Sequence, residues 1–307
     1  MKAIQYRTYG SSEVIEEVEV SKPIIQSEND VLIQVKAAGV NPIDIKIRNG
    51  FMKAVRPVEM PYIPGGETSG IVVAVGSNVS AFKVGDQVIA LTGTNGYAEY
   101  VKVSQSFVLQ KPAGISFAEA ASIGVNIATA QSVLFTAGQL ESGQKVLIQG
   151  GAGAAGGAMV QLAKAAGAYV IATASGYGLE LAKSFGADEV IDYKSDDVAV
   201  LVQDVDLVAD TAGGQAQEQL FKVLKPGGRL FSIVIPPSQQ LAEEHNITAG
   251  FVVSDISVET LKNGLALLQA GKFRPVVSKT FKLSEAAQAQ DYLTAGGVNG
   301  KVILTID

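Results

Sequence analysis

The residues whose spacing points most directly to chemistry are Gly151-Ala152-Gly153-Ala154-Ala155-Gly156, a G-x-G-x-x-G run. The run follows Lys145–Gln149, an apolar stretch that reads as a strand, and opens a stretch with Val160, Leu162 and Ala163 that reads as a helix. Glycines at this junction permit a tight turn and let the backbone approach a pyrophosphate, whose charge is favoured by the free N–H groups and dipole of a helix start. The run alone also fits an ordinary turn; its strand–helix–strand setting favours a dinucleotide. An NAD site normally ends its second strand in Asp or Glu, about 20 residues on, to hold the ribose hydroxyls. Here that strand ends Ile171-Ala172-Thr173-Ala174-Ser175. A 2′-phosphate meets no carboxylate there, so NADPH is the expected cofactor. Ser175 either hydrogen-bonds that phosphate or caps the next helix. No Arg or Lys lies in 173–179, which leaves Lys183 or Lys194 to pair with a phosphate.

Other chemistry is removed by composition. The chain has no cysteine and one histidine, His245, so no Cys/His zinc site can be built and the expected metal set is none. Disulfides and thiol nucleophiles go with the cysteines, and a Ser-His-Asp hydrolase would need His245 as its base. A formal net charge of −6, with no Lys/Arg-rich block, argues against nucleic-acid or anionic-membrane partners. The first residues run directly into an alternating strand pattern without the apolar core of a signal peptide. The longest uncharged stretch, 120–140, is interrupted by Asn126, Thr129, Gln131, Ser132, Thr136 and Gln139, and so reads as a buried helix rather than a membrane span. A cytoplasmic protein is the expectation.

The elements that must position these groups fall into two textures. Residues 1 to about 112 read as short strands punctuated by Gly and Pro, at 14–20, 31–37, 69–75, 86–90 and 97–103. Val31, Ile33, Val35 and Ala37 share one face by period-two alternation. At Ser116-Phe117-Ala118-Glu119 a capping box opens a helix with Ile123, Ile127, Ala130 and Leu134 on one side. Strands then alternate with helices: strands at 145–149, 169–174, 189–192, 205–210, 229–235 and 250–254 describe a parallel, doubly wound sheet. A helix at 258–270 ends at Gly271, and the last strands, 276–281 and 301–306, flank a helix started by Ser284 and return to the first module. The fold class is α/β, with domains at 1–115 completed by 262–307, and at 116–261.

On these residues the chain resembles the medium-chain dehydrogenase/reductase superfamily, in its zinc-independent, quinone oxidoreductase-like branch. The motifs run in order: Gly39-Val40-Asn41-Pro42-Ile43-Asp44 with Arg48 and Gly50; Pro64-Gly65-Gly66-Glu67 through Gly70, Gly76 and Val84-Gly85-Asp86-Gln87-Val88; Gly96-Tyr97-Ala98-Glu99-Tyr100; the loop 150–157; Leu224-Lys225-Pro226-Gly227-Gly228-Arg229; and Gly300-Lys301-Val302. The resemblance implies a Rossmann domain joined to a mostly β, GroES-like catalytic domain. Zinc-dependent relatives carry Cys where this chain has Asn41 and His where it has Gly66. The resemblance also implies that Asn41 lies near the nicotinamide, with Thr129, Gly151, Gly153, Ala154, Ala155 and Gly156 along the cofactor and Ser175 and Tyr193 near the adenosine phosphate. Thr211, Ile233, Phe251 and Val253 match segments lining the nicotinamide half, although Ile233, Phe251 and Val253 are equally ordinary strand-core residues.

The expected activity is NADPH-dependent hydride transfer to a quinone or a small α,β-unsaturated carbonyl compound. Negative charge growing on the carbonyl oxygen needs a donor. Lys46 is the candidate, with Asn41 as a neutral donor and Asp44 beside them; Lys46 paired with Asp44 in solvent is the bland alternative. Quinone-reducing relatives often carry Tyr at the Lys46 position, which shifts expectation toward short enones. Competing readings are an enoyl-thioester or alkenal reductase and a weakly catalytic NADPH-binding sensor. The resemblance implies a homodimer through the sheet edge near 250–254.

Overall fold

A computed structural model of the chain describes residues 1–307. Two compact units emerge, one of Met1–Val125 with Pro275–Asp307 and one of Asn126–Arg274.

The first unit is built on a seven-stranded sheet with the order Val277–Lys282, Lys301–Thr305, Asp30–Val40, Glu67–Val75, Gln87–Leu91 and Val108–Gln110; Tyr100–Ser104 also pairs with Asp30–Val40. Asp30–Val40 organises the unit, because its eleven residues pair with three different strands. Shifts of register at Leu32/Ile33 and Val35/Ala37 let one long strand serve those partners. Val31, Ile33 and Val35 are buried with Val72, Val88, Val101 and Leu304 in the core, whereas Ala37, past the irregularity at Val35/Ala37, is buried in a separate cluster with Ala121 and Ile303. Gly70 sits where a Cβ would lie 2.1 Å from the Gln34 carbonyl, so only glycine lets these strands meet. A small antiparallel hairpin, Lys2–Gln5 with Glu16–Glu19, forms a sheet of its own, bridged to Ala98 through Ala3 and sharing the core through Ile4. Its second strand is shorter than the expected 14–20 because Ser12–Val14 forms a 3₁₀ turn.

The second unit is a six-stranded, wholly parallel sheet with the order Glu189–Asp192, Tyr169–Ala174, Lys145–Gln149, Val205–Asp210, Leu224–Ser232 and Thr248–Phe251. Numbered along the chain this is 3-2-1-4-5-6, whose order reverses between Lys145–Gln149 and Val205–Asp210. Every residue of Val205–Asp210 is buried, as a strand covered on both faces must be. The fifth strand starts at Leu224, earlier than the expected 229, and the sixth ends at Phe251, short of 254.

The units divide at Val125/Asn126, ten residues past the Ser116 capping box. The box forms, with the Ser116 N–H donating to Glu119 at 2.7 Å and the Glu119 N–H to Ser116 Oγ at 3.2 Å. Its helix is one turn, Phe117–Ala120, which packs on the first unit's sheet through Ala121 beside Ala37 and Ile303. A second helix, Gly124–Gln131, continues as a π-helical turn, Ser132–Ala137. Ile123, Ile127, Ala130 and Leu134 are buried as one stripe. Phe117–Ala137 is long and apolar enough to cross a membrane by composition, and 72% of its apolar window is buried within the protein. Toward the end, the helix Val258–Gln269 belongs with the second unit, and the return to the first begins at Pro275.

Candidate functional site

The glycine turn lies at the carboxyl end of Lys145–Gln149, beside the reversal of strand order where open α/β sheets bind ligands. Gly150 has φ +76°, a left-handed conformation that glycine takes without strain. Gly151 crosses the next strand so closely that a Cβ would lie 2.7 Å from the Ala172 methyl. Gly156 faces the Gly150 carbonyl, 2.1 Å from where its Cβ would be. Three hydrogen bonds fix the turn: Gly150 N–H to Thr173 Oγ1 at 3.1 Å, Gly151 N–H to the Thr173 carbonyl at 2.9 Å, and Thr211 Oγ1 to the Gln149 carbonyl at 2.6 Å. Thr211, assigned to the cofactor by resemblance, thus supports the turn. The helix Ala154–Ala165 begins after Gly153 with no side-chain cap. Its first N–H groups therefore have no intrahelical or capping partner and favour an anion. A dinucleotide pyrophosphate fits this backbone.

Ser175 resolves one of the alternatives left by the sequence. The helix Tyr177–Ser184 is entered through Gly176 at φ 55°, without a side-chain cap. The Ser175 hydroxyl donates instead to the Tyr193 hydroxyl at 3.0 Å. Two hydroxyls stand together past the end of the second strand, which itself carries no Asp or Glu. Thr129 is buried and shares a 2.9 Å hydrogen bond with Ser254, next to Val253. Phe251 and Val253 are 43% and 83% exposed, which rules out a place in the sheet core; Ile233 is half-buried. His245 ends the helix Gln239–Glu244, its ring 6.2 Å from Phe221.

In the first unit, Asn41 and Asp44 belong to a buried polar cluster drawn from four chain segments. Asn41 caps the helix Pro42–Arg48; its backbone N–H donates to Asp44 Oδ2 at 2.9 Å, which closes a capping box. Asp44 Oδ2 also accepts from Tyr97 Oη at 2.9 Å. Asn41 Nδ2 donates to Glu67 Oε1 at 3.1 Å, and Lys301 Nζ donates to Asn41 Oδ1 at 2.5 Å. Lys301 and Glu67 form an ion pair at 2.6 Å, with their side chains only 2% and 0% exposed. The remaining Glu67 oxygen accepts from the Val125 N–H at 2.8 Å. At the last residue of the same helix, Arg48 donates to Gln290 at 2.5 Å and to the Gly10 carbonyl at 3.2 Å.

Burial pushes the Asp44 carboxyl up to about 6, although the Asn41 N–H, the Tyr97 hydroxyl and the Lys301 charge all act to lower it. Burial likewise raises the Tyr97 phenol well above its usual value, and the Asp44 charge adds to the effect. Lys46, on the same short helix, is half-buried, and its carbonyl accepts from the Phe51 N–H at 2.9 Å. Asp44 is turned into the protein toward Asn41 and Tyr97. In the sequence Glu67, Tyr97 and Lys301 are only letters inside motifs, with no role attached. Their joint burial depends on strand pairing across more than two hundred residues, which spacing cannot show.

Comparison with known proteins gives a consistent picture. Residues 27–113 match the family model described as alcohol dehydrogenase GroES-like domain, and residues 185–304 the one described as zinc-binding dehydrogenase. The chain is similar to 2-methylene-furan-3-one reductase of Solanum lycopersicum, with 39% identity over 99% of this chain and 79% of that protein. Among solved structures, it resembles quinone oxidoreductase from Coxiella burnetii, with a TM-score of 0.89, 33% identity, and coverage of 100% of this chain and 99% of that one. Escherichia coli quinone oxidoreductase, solved in complex with NADPH, gives a TM-score of 0.89 at 25% identity, covering 99% of this chain and all of the other. The zinc in the second model's description does not fit the residues present. No three His, Cys, Asp or Glu side chains group to hold a metal, and the Lys301 ammonium already neutralises Glu67 beside Asn41.

Proposed function

The chain belongs to the medium-chain dehydrogenase/reductase superfamily, in its quinone oxidoreductase-like branch, and from that premise we propose that it reduces small α,β-unsaturated carbonyl compounds and quinones with NADPH. The observation that carries the reading is the glycine turn, whose shape leaves room only for backbone where a pyrophosphate would rest. Preference for NADPH is supported by the Ser175–Tyr193 hydroxyl pair at a strand end that lacks Asp or Glu; both hydroxyls can donate to a 2′-phosphate.

Gly151, Gly153, Ala154, Ala155 and Gly156 would hold the pyrophosphate, and Ser175 and Tyr193 the adenosine phosphate. The reduced nicotinamide supplies the hydride. In this reading Lys46 and the Asn41 amide hydrogens stabilise negative charge on the carbonyl oxygen of the acceptor, a task for donors placed before the charge develops. The single histidine is a helix-ending residue of the second unit, so protonation of the product falls to solvent. The protein is read as cytoplasmic and as a homodimer through the exposed Thr248–Phe251 edge.

Steady-state oxidation of NADPH with a panel of short enones and quinones tests the assignment, with calorimetric titration of NADPH and NADH alongside. Turnover with NADPH and weaker binding of NADH are expected. Tight NADPH binding without turnover of any acceptor would favour a sensor.

A further inference from the structure

We propose that Lys301 is a positioning residue for carbonyl reduction, acting through Asn41, whose amide it fixes so that only N–H groups are offered to a ligand. This rests on the reading of the protein as a carbonyl reductase. The argument begins with what each group can do. An ammonium only donates hydrogen bonds, and an ionised carboxylate only accepts them. Asn41 stands between one of each: its side-chain oxygen faces Lys301 Nζ at 2.5 Å and its nitrogen faces Glu67 Oε1 at 3.1 Å.

A flipped amide would set NH2 against NH3⁺ and oxygen against carboxylate, so the orientation is dictated by charge. The ion pair is itself sealed, at 2% and 0% exposure, and the Val125 N–H occupies the other Glu67 oxygen. Neither partner has freedom to release the amide.

The Asn41 oxygen is therefore spent inside the protein. Of its two N–H groups, one is committed to Glu67; the other has only the Gly39 carbonyl, at a long 3.4 Å. That second N–H is the one able to exchange its weak partner for a better acceptor, and bonding of Asn41 Oδ1 to a cation polarises the amide and strengthens it as a donor. A donor of this kind favours an oxygen gaining negative charge, as in enone or quinone reduction, over a hydroxyl that must give up its proton. Lys301 and Glu67 thus determine the sign of the group that the first unit presents.

The test uses the full-length protein, with NADPH, a short enone such as 3-penten-2-one, and 1,4-benzoquinone. Lys301→Met leaves a lone buried carboxylate, so the informative variant is Lys301→Met/Glu67→Gln, which removes both charges. We expect this variant to fold, to bind NADPH within about twofold of the parent, and to lose at least about tenfold in kcat. Adding Asn41→Ala to it is expected to cause little further loss, whereas Asn41→Ala in the parent causes about the same loss as the double change. Lys301→Arg, which also only donates, is expected to recover part of the activity. A kcat within twofold of the parent, or an Asn41→Ala loss that multiplies with the double change, would overturn the proposal. Failure of the parent protein to reduce any acceptor while binding NADPH would instead overturn the reductase reading, and this inference with it.

Discussion

The two units handle polar groups in opposite ways. The second builds its candidate site from backbone: glycine carbonyls and N–H groups at a helix start, with side chains kept away because no Cβ fits at Gly151 or Gly156. The first builds its candidate site from side chains, burying Lys301, Glu67, Asp44, Asn41 and Arg48. The shape of the backbone site is set by a few adjacent glycines, and Thr173 on one neighbouring strand and Thr211 just past the other lock its turn in place. A side-chain cluster is specified only when distant strands pair: Lys301–Thr305 and Glu67–Val75 must both flank Asp30–Val40 before Lys301 meets Glu67. The backbone site is tuned by shape and the side-chain site by charge, so substitutions in each should fail differently.

The largest effect is expected at the buried ion pair. Lys301→Met leaves Glu67 charged without its partner, a change that typically costs about 3–5 kcal/mol. Urea unfolding should show this loss, and the added Glu67→Gln should restore most of it. A single change that left the urea midpoint in place would mean that the pair is not sealed and that the contrast between the units is wrong.

Asp44 tests the same cluster through pH. Its folded value of about 6 lies above the ordinary carboxylate value of 3.8. The folded state therefore holds the proton more tightly than the unfolded state, and this contribution to stability is present below about pH 4 and is lost as pH rises through about 6. Asp44→Asn keeps an oxygen for the Asn41 and Tyr97 donors and removes the titration. The stability of the variant relative to the parent should rise from pH 4 to pH 6 and level off above, by up to roughly 3 kcal/mol. Parallel stability curves for the two proteins across that range would rule out a raised Asp44.

At the backbone site the expected penalty is steric. Gly156→Ala forces a Cβ against the Gly150 carbonyl, so the turn must open. Overpacking of this kind costs about 1–3 kcal/mol, and NADPH affinity should fall at least about tenfold as the turn moves. Gly153→Ala is the control for stability: the nearest atom to its Cβ would be the Gly150 carbonyl at 3.3 Å, so its unfolding midpoint should move far less. Equal destabilisation by the two changes would show that close approach of the backbone is not what Gly156 serves.

The same contrast explains what the sequence made legible. The parallel sheet and the glycine turn could be read from local periodicity and spacing, since each βαβ element carries its own pattern, whereas the strand order comes from the pairing itself. Strand ends differ from the pattern where apolar residues run past the hydrogen bonding, as at Thr248–Phe251, or where pairing extends an element into polar residues, as at Leu224–Ser232. The helix opened by Ser116 was legible at its cap but not in its length, because the chain turns after Ala120 to reach the second unit. Asn41 and Asp44 were picked out through family motifs. Their partners Glu67, Tyr97 and Lys301 were not, since a lysine reads as a surface residue until a strand pairing buries it. Exposure of Phe251 and Val253 is equally hidden: apolar letters near a strand suggest core, whereas Phe251 ends an edge strand and Val253 lies beyond it.

The smallest expected effect separates the roles of two exposed hydroxyls. Ser175 donates to Tyr193, and each side chain is replaceable without disturbing the glycine turn. If the pair binds a 2′-phosphate, Ser175→Ala removes one hydrogen bond to the phosphate and leaves Tyr193 less constrained. A net loss of about 1 kcal/mol follows, roughly fivefold in NADPH affinity, while NADH, which has no phosphate there, should be bound as before. Tyr193→Phe should act in the same direction, and the two changes should combine to less than the product of their separate effects, because the hydroxyls are bonded to each other. Calorimetric titration of both nucleotides against the parent and the three variants measures these ratios directly. An equal loss for NADH and NADPH would place the pair at the adenine or ribose instead, and leave the preference for NADPH to Lys183 or Lys194.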